Sequence, residues 1–417
     1  MRVLYSFPDV VGKAGIGWVA YHQVRGLLEA GVNVILFCTS IHPGIELSRI
    51  QRLVTTLAVG RVRVPHRALG VDRSFRYHDW RVARALTRLR NEVDLIHCWP
   101  RGVIRSAAVA QSMNLPVLRE VPNTHTAHAF EVVEREHRAL GVRVPPGQTH
   151  TFDARVLALE EAEYRAADRL LVPSPLSERT FLERGFPPEQ LALHGYGFDP
   201  ERFSPGPARR SGDGPLTVLF AGRCEPRKGL HHALRAWHES GLAERGRLIL
   251  CGNFVSGYRE LLEPHLSHPS VELRGFVSDL ETTMKEADVL LLPSLEEGSA
   301  LVTYAAQGCG CVPVVSDAAG ARCTHLRDGL VHEAGDVRAL SEHLRMLDGD
   351  RALLKRLREA TLQTAQTLTW GDATKRLIAI YEQALDARGA RHGSDLAGSR
   401  PWWRGPAVDG TASLTTF

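Results

Sequence analysis

The sequence is short of long hydrophobic runs: none of its 417 residues falls in a stretch approaching ~18 uninterrupted apolar positions, the least a membrane-spanning helix requires. The opening Met1-Arg2-Val3-Leu4-Tyr5 also lacks the apolar core of a secretory leader. The chain is therefore expected neither to span a membrane nor to be exported, and to work in the cytoplasm. Cysteine is scarce and badly spaced for pairing. Seven are present, an odd number, and Cys309 and Cys311 stand one residue apart, too close for a C-x-x-C pair. No His or Cys cluster has metal-ligand spacing, which predicts reduced core cysteines and no metal site. The G-x-G-x-x-G order of a dinucleotide fold is missing, which weakens the case for an oxidoreductase, and so is the G-K-[ST] ending of a P-loop. Lysine is rare, with five in the whole chain. The net charge of +4 is too small to point to nucleic acid.

What is present is an ordinary globular composition, 44% hydrophobic, in a chain long enough for two domains of comparable size. Charge is unevenly spread: from Arg49 to Arg105 thirteen arginines accompany four acids, Asp72, Asp79, Glu92 and Asp94. A solvated Arg-rich helix accounts for this, and a contact with an anionic membrane face or an acidic acceptor is the alternative.

Short apolar strands alternate with amphipathic helices in both halves. Arg2 to Phe7 reads as a strand, Gly12 to Gly17 as a loop, Trp18 to Ala30 as a helix stopped by Gly31, and Val32 to Phe37 as the next strand. The second half restarts with strand Leu216 to Phe220, loop Ala221 to Gly229, helix Leu230 to Glu239 and strand Arg247 to Gly252. This alternation predicts an α/β fold with parallel sheets and crossover helices. Composition sets the boundaries: a first domain over 1–202, a Pro- and Gly-rich linker over 203–215, a second domain over 216–370, a helix over 371–386, and a polar, disordered tail over 387–417.

Four loops are placed to carry chemistry. Glu297-Gly298-Ser299-Ala300-Leu301 follows the buried run Ala287 to Leu292 and opens a helix, a position suited to an anionic or polyhydroxyl ligand. Gly222-Arg223-Cys224-Glu225-Pro226-Arg227-Lys228-Gly229 brings cations and glycines to a helix N-terminus, where backbone amides and two or three positive side chains suit a diphosphate; a solvated turn with incidental charge is the alternative. Gly15 and Gly17, in the loop after the first strand, could form the opposing wall and let backbone approach phosphate, or could serve only a tight turn. After Pro116 to Arg119 comes a polar loop in which His125 is the first choice for a sugar or phosphate contact, with Asn123 and His128 behind it.

Taken in order, Gly197-Phe198-Asp199, Phe220-Ala221-Gly222-Arg223, Arg227-Lys228-Gly229, Leu273-Arg274-Gly275-Phe276-Val277, Pro293-Ser294, Glu297-Gly298 and Gly310 with Pro313-Val314-Val315 resemble the family-four retaining glycosyltransferases. The resemblance covers roughly residues 1 to 385. It implies the B-type fold: two Rossmann-like domains facing across a cleft, the first binding the acceptor, the second a nucleotide-diphosphate sugar. The acceptor could be a saccharide, a lipid-linked sugar or a small metabolite. The resemblance also implies that Arg223 and Lys228 neutralise the diphosphate in place of a metal ion, so that no cofactor is needed beyond the co-substrate. Glu297 and the amides of Gly298, Ser299, Ala300 and Leu301 would hold sugar hydroxyls and the departing phosphate, and the backbone at Phe276 and Val277 would receive the base. The chain departs from the family pattern at Ala305, where a second glutamate would bind the ribose. Losing hydrogen bonds to a charged partner there could weaken binding by roughly 1.5 to 3 kcal/mol, or about 10- to 100-fold. A degenerate, binding-only protein is the alternative this raises.

Overall fold

The computed structural model describes residues 1–59, 62–63, 70–142, 150–206 and 214–395. A seven-stranded parallel sheet forms from β1 (Arg2–Val11), β2 (Asn33–Ile41), β3 (Arg52–Thr55), β4 (Leu95–Cys98), β5 (Val117–Glu120), β6 (Arg169–Val172) and β7 (Leu191–Leu193), in the order β3-β2-β1-β4-β5-β6-β7. A six-stranded parallel sheet forms from β8 (Thr217–Ala221), β9 (Arg247–Cys251), β10 (Val271–Gly275), β11 (Val289–Leu292), β12 (Val312–Ser316) and β13 (Leu330–His332), in the order β10-β9-β8-β11-β12-β13. The central strands of the second sheet are largely apolar because helices cover both faces; every residue of β8 and β11 is buried.

In each sheet the strand order reverses once, at β1/β4 and at β8/β11. A crevice opens beyond the carboxyl ends of strands at such a reversal. The same reversal makes β8 and β11 hydrogen-bonded neighbours, so the loops after Ala221 and after Leu292 lie side by side although about 70 residues separate them.

The helices that matter for the site are α1 (Ile16–Glu29), α2 (Val71–Leu86), α3 (Ile104–Ser112), α4 (Thr126–Leu140), α5 (Ala154–Ala166), α6 (Pro175–Leu182) and α7 (Leu230–Glu239). Their counterparts further on are α8 (Tyr258–Leu266), α9 (Leu280–Glu286), α10 (Leu301–Cys309), α11 (Val337–Gly349), α12 (Arg351–Ala365) and α13 (Trp370–Asp395). Local signals fix many ends. Asp153 caps α5 by accepting from the amides of Arg155 and Val156, and Ser174 caps α6 with Pro175 at its first turn. On α2 the residues facing solvent include Arg73, Arg76 and Arg84.

The chain passes between the domains twice at one place. The amide of Phe198 donates to Leu368, and that of Trp370 donates back to Phe198. From there α13 returns to the first domain, with Trp370 stacked on His22 and Leu377 and Tyr381 in the core beside Val3 and Tyr5. The sequence pattern ends this helix at 386, but it continues to Asp395; the expected disordered tail from 396 onward lies outside the described residues, as does much of the expected linker, 207–213.

Beneath the carboxyl ends of the first sheet lies a polar network with no solvent exposure. Gln23 donates to Glu120 Oε1 at 2.5 Å, Tyr196 OH reaches Glu120 Oε2 at 3.5 Å, and the rings of His97 and His194 come within 3.6 and 3.9 Å of Oε1. Burial pushes the Glu120 carboxyl up from 4.5 to about 8. The native state thus keeps a proton that the unfolded chain releases, and stability is expected to fall as pH rises from about 4.5 to about 8. The slope is at most about 1.4 kcal/mol per pH unit for one proton. Glu120→Gln should flatten it in urea unfolding followed across that range, and an unchanged slope would mean the carboxyl is ionised in the fold.

Candidate active site

Side by side, the two loops of the second domain assemble a cluster of alternating charge. Lys228 Nζ is in direct contact with Glu297 Oε1. Arg227 Nη1 donates to the backbone carbonyl of Glu296 at 2.9 Å and to its carboxylate at 3.1 Å, and lies 3.5 Å from Glu297 Oε2. Glu225 accepts from Arg227 at 3.1 Å and forms a looser ion pair with Arg223 at 3.7 Å. All of these groups are largely buried except Arg223, whose side chain is 50% exposed.

Their protonation follows from that burial. The Lys228 ammonium is driven down from 10.5 to about 7, first by loss of water and then by Arg227, with Glu225 and Glu296 opposing. For Glu296 burial also resists the charge, but Arg227, His150 and the Thr124 hydroxyl outweigh it and hold the carboxyl below its usual value. The site is a set of cations pinned by carboxylates, with one lysine near its titration point.

The first domain closes over this cluster. Thr124 Oγ1 donates to Glu296 Oε1 at 2.6 Å, and Asn123 Nδ2 lies 3.2 Å from a ring nitrogen of His150. His150 adopts a positive φ of 67°, a conformation that a residue with a side chain holds only where its surroundings enforce it. At Gly298 an added Cβ would stand 2.1 Å from the Pro122 carbonyl and 2.6 Å from Asn123 Cα, so two backbones from different domains touch where only hydrogen fits. Gly229 is equally constrained: its φ is 68°, and a Cβ would meet the Pro293 carbonyl at 2.0 Å.

Around this centre the other expected residues fall as follows. Gly222 leads into the cation loop, and Phe276, 77% exposed, stands at the carboxyl end of β10 with Val277 half-buried beside it. Ser299 Oγ is engaged with Tyr304 OH at 2.7 Å and the Gly320 carbonyl at 3.1 Å. The Ala300 amide donates to Ala319, so these two groups brace the loop and are committed before any ligand arrives. Leu301 begins α10, which has no side-chain cap. Gly15 starts α1 at an exposed turn with open space around it, whereas Gly17 is buried against the Val10 carbonyl.

His125 is placed against expectation. It is 1% exposed, its Nδ1 caps α4 by accepting from Ala127, and its ring packs on Tyr164, Phe181 and Phe186. Burial first, and Arg184 and Arg119 next, push it down to about 3, so it is a neutral structural residue. The polar contact made by that loop comes from Thr124. Thr124, His150, Glu225 and Glu296 were missed by sequence reasoning. Glu225 and Glu296 carried a local signal, the first inside the cation loop and the second as the neighbour of Glu297.

Ala305 lies in α10 within an apolar cluster of Leu219, Ala221, Ile249, Cys251 and Met284, with Val277 packed against it.

Two family models match the chain: Glycosyltransferase Family 4 over residues 14–202 and Glycosyl transferases group 1 over residues 215–350. A D-inositol 3-phosphate glycosyltransferase 1 of Catenulispora acidiphila is 27% identical over 415 residues, covering 91% of this chain and 93% of the relative. One of Salinispora arenicola is 28% identical over 308 residues, 66% of each chain. Among solved structures, sucrose-phosphate synthase from Thermosynechococcus elongatus superposes with a TM-score of 0.67 at 20% identity, over 93% of this chain and 99% of that one. The Anabaena protein HepE in complex with UDP and glucose gives 0.62 at 17% identity, over 92% and 100%. With the Glycosyltransferase Family 4 model matching the first half, the Glycosyl transferases group 1 model matching the second, and two parallel-sheet domains in the B-type arrangement, the chain belongs to the family-four glycosyltransferases.

Proposed function

We propose that the protein transfers a sugar from a nucleotide-diphosphate donor to an acceptor, with retention and without a metal ion at the diphosphate. The observation that carries this reading is the contact of Lys228 with Glu297, flanked by Arg227 and by the half-exposed Arg223. As the glycosidic bond breaks, negative charge grows on the leaving diphosphate, and cations already fixed in place stabilise that state without reorganising. Lys228 and Arg223 supply the charge at the phosphates, Arg227 holds the carboxylates in register, and Glu297 accepts from sugar hydroxyls once the phosphates have drawn Lys228 away. The exposed ring of Phe276 suits stacking on the base. Retention rests on the family likeness.

UDP, GDP and ADP titrated into metal-stripped protein should identify a nucleotide that binds by calorimetry. The names of the relatives make a phosphorylated inositol the first acceptor to try with the matching sugar nucleotide. Lys228→Ala and Arg223→Ala should each lower kcat/KM by roughly 100-fold, the scale of losing one preorganised donor at a developing anion; Arg223→Ala, at a half-exposed side chain, should leave the unfolding midpoint little changed, whereas Lys228→Ala should lower it by removing a buried partner of Glu297. Unaltered transfer in either variant would remove that residue from the mechanism.

Diphosphate binding should also take up a proton. The bound anion raises Lys228 above about 7, so near pH 8 a mostly neutral amine must charge, and affinity should decline with rising pH by up to tenfold per unit. Calorimetry in buffers of different ionisation enthalpy reads this uptake directly. Equal uptake by Lys228→Met would assign the proton elsewhere.

Ala305 favours a second reading, a binding protein with weak turnover. Ala305→Glu is expected to tighten nucleotide binding by about 10- to 100-fold if the ribose lies over α10. No gain, together with no sugar-nucleotide consumption by the native chain, would favour the binding-only reading.

A further inference from the structure

Behind the cation loop, three ligand-type side chains from different domains converge. His231 and His232 occupy the first turn of α7, directly after Gly229, and Glu136 projects from α4 of the first domain. His231 Nε2 lies 2.7 Å and His232 Nε2 3.7 Å from the same oxygen, Glu136 Oε1. Both nitrogens are buried, yet neither forms a hydrogen bond of good geometry. The three ligand atoms all fall within 4.8 Å of one another. A tetrahedral ion with bonds of about 2.0–2.1 Å needs its ligands roughly 3.3–3.5 Å apart, a spacing that the two observed His-to-Glu distances bracket.

We propose that Glu136, His231 and His232 form a divalent-cation site, best suited to Zn²⁺, that ties the two domains together. Two imidazoles and one carboxylate are a borderline donor set that zinc accepts readily, with a fourth position left for water. The support for the ligands is already built. Tyr258 OH, fully buried, lies 2.7 Å from His231 Nδ1 and accepts the His231 amide at 3.0 Å. An Nδ1–H donated to that oxygen would leave the Nε2 lone pair facing the site, the usual arrangement behind a metal-bound histidine. The pair of adjacent histidines and the glutamate are about 95 residues apart in sequence, which is why no metal-ligand spacing reveals them.

The consequence is positional. Lys228 is three residues before His231, and α4 packs against Pro226–Lys228. An ion held here would pin the back of that loop to the first domain while taking no part at the diphosphate. The inference stands independently of which donor the transferase uses.

The test uses the full chain, purified without a histidine tag and stripped with a chelator. Zn²⁺ is titrated by calorimetry, and Co²⁺ by the visible absorption of a tetrahedral complex. One ion per chain is expected, at micromolar affinity or tighter, with Zn²⁺ also raising the unfolding temperature. Glu136→Gln and His232→Ala should each weaken binding at least about tenfold and abolish the temperature shift, while their metal-free unfolding temperatures establish that both variants are folded. With 19 histidines in the chain, the comparison with variants decides. Equal binding by native protein and both folded variants, or no binding by the native chain, would overturn the site and leave the triad an ordinary polar contact between domains.

Discussion

The site depends on one constraint: a buried charge must be paired. Placing β8 beside β11 forces two loops together, and one brings Arg223, Arg227 and Lys228 while the other brings Glu296 and Glu297. Isolated, each buried member would cost several kcal/mol in lost hydration. Together they hold one another in place before a ligand arrives. The result is a cationic surface whose geometry is set by protein carboxylates, so that an anion entering it replaces existing partners instead of ordering mobile side chains. Lys228 is the sensitive member, because burial leaves its charge barely favourable near neutrality.

The same loops are also where the domains meet, so the electrostatics cannot be separated from closure. Thr124 donates to the carboxylate that Arg227 holds, and Gly298 lies on the backbone of Pro122 and Asn123. An isolated parallel bridge between Phe198 and Thr369, and the return of α13 onto α1, join the two domains a second time. A bulkier residue at 298 would push the domains apart and also disturb the carboxylates beside it. The family likeness names a glycine at this place, and the contact gives the physical reason for it.

Much of the scaffold was legible because parallel strands buried on both faces leave unbroken apolar runs. Helix α7 matched the periodicity at both ends, and charge and glycine at strand ends picked out the two loops that β8 and β11 bring side by side. Where the sequence misled, a tertiary partner decided. His125 looked like a ligand in a polar loop, but α4 begins there and the side chain became its cap. Thr124, His150 and Glu296 were invisible as a set because they meet only when the domains meet. The continuation of α13 past 386 crosses a stretch whose apolar period had already ended, with Arg388 bound to Asp168 of the first domain as a late anchor.

Ala305 is informative because its surroundings agree with it. A lost glutamate would ordinarily leave a polar hole, yet Ala305 belongs to a buried apolar cluster that also contains Leu219, Ala221, Ile249, Cys251 and Met284. If the donor is a nucleotide sugar, its affinity must then be concentrated at the two ends of the molecule, the diphosphate on the cations and the base on Phe276, with the ribose contributing little. Such a site would discriminate poorly at the 2′ and 3′ positions of the ribose while remaining strict about phosphate charge. That balance follows from replacing one hydrogen-bonding carboxylate by a methyl group while the three cations of the neighbouring loop remain in place.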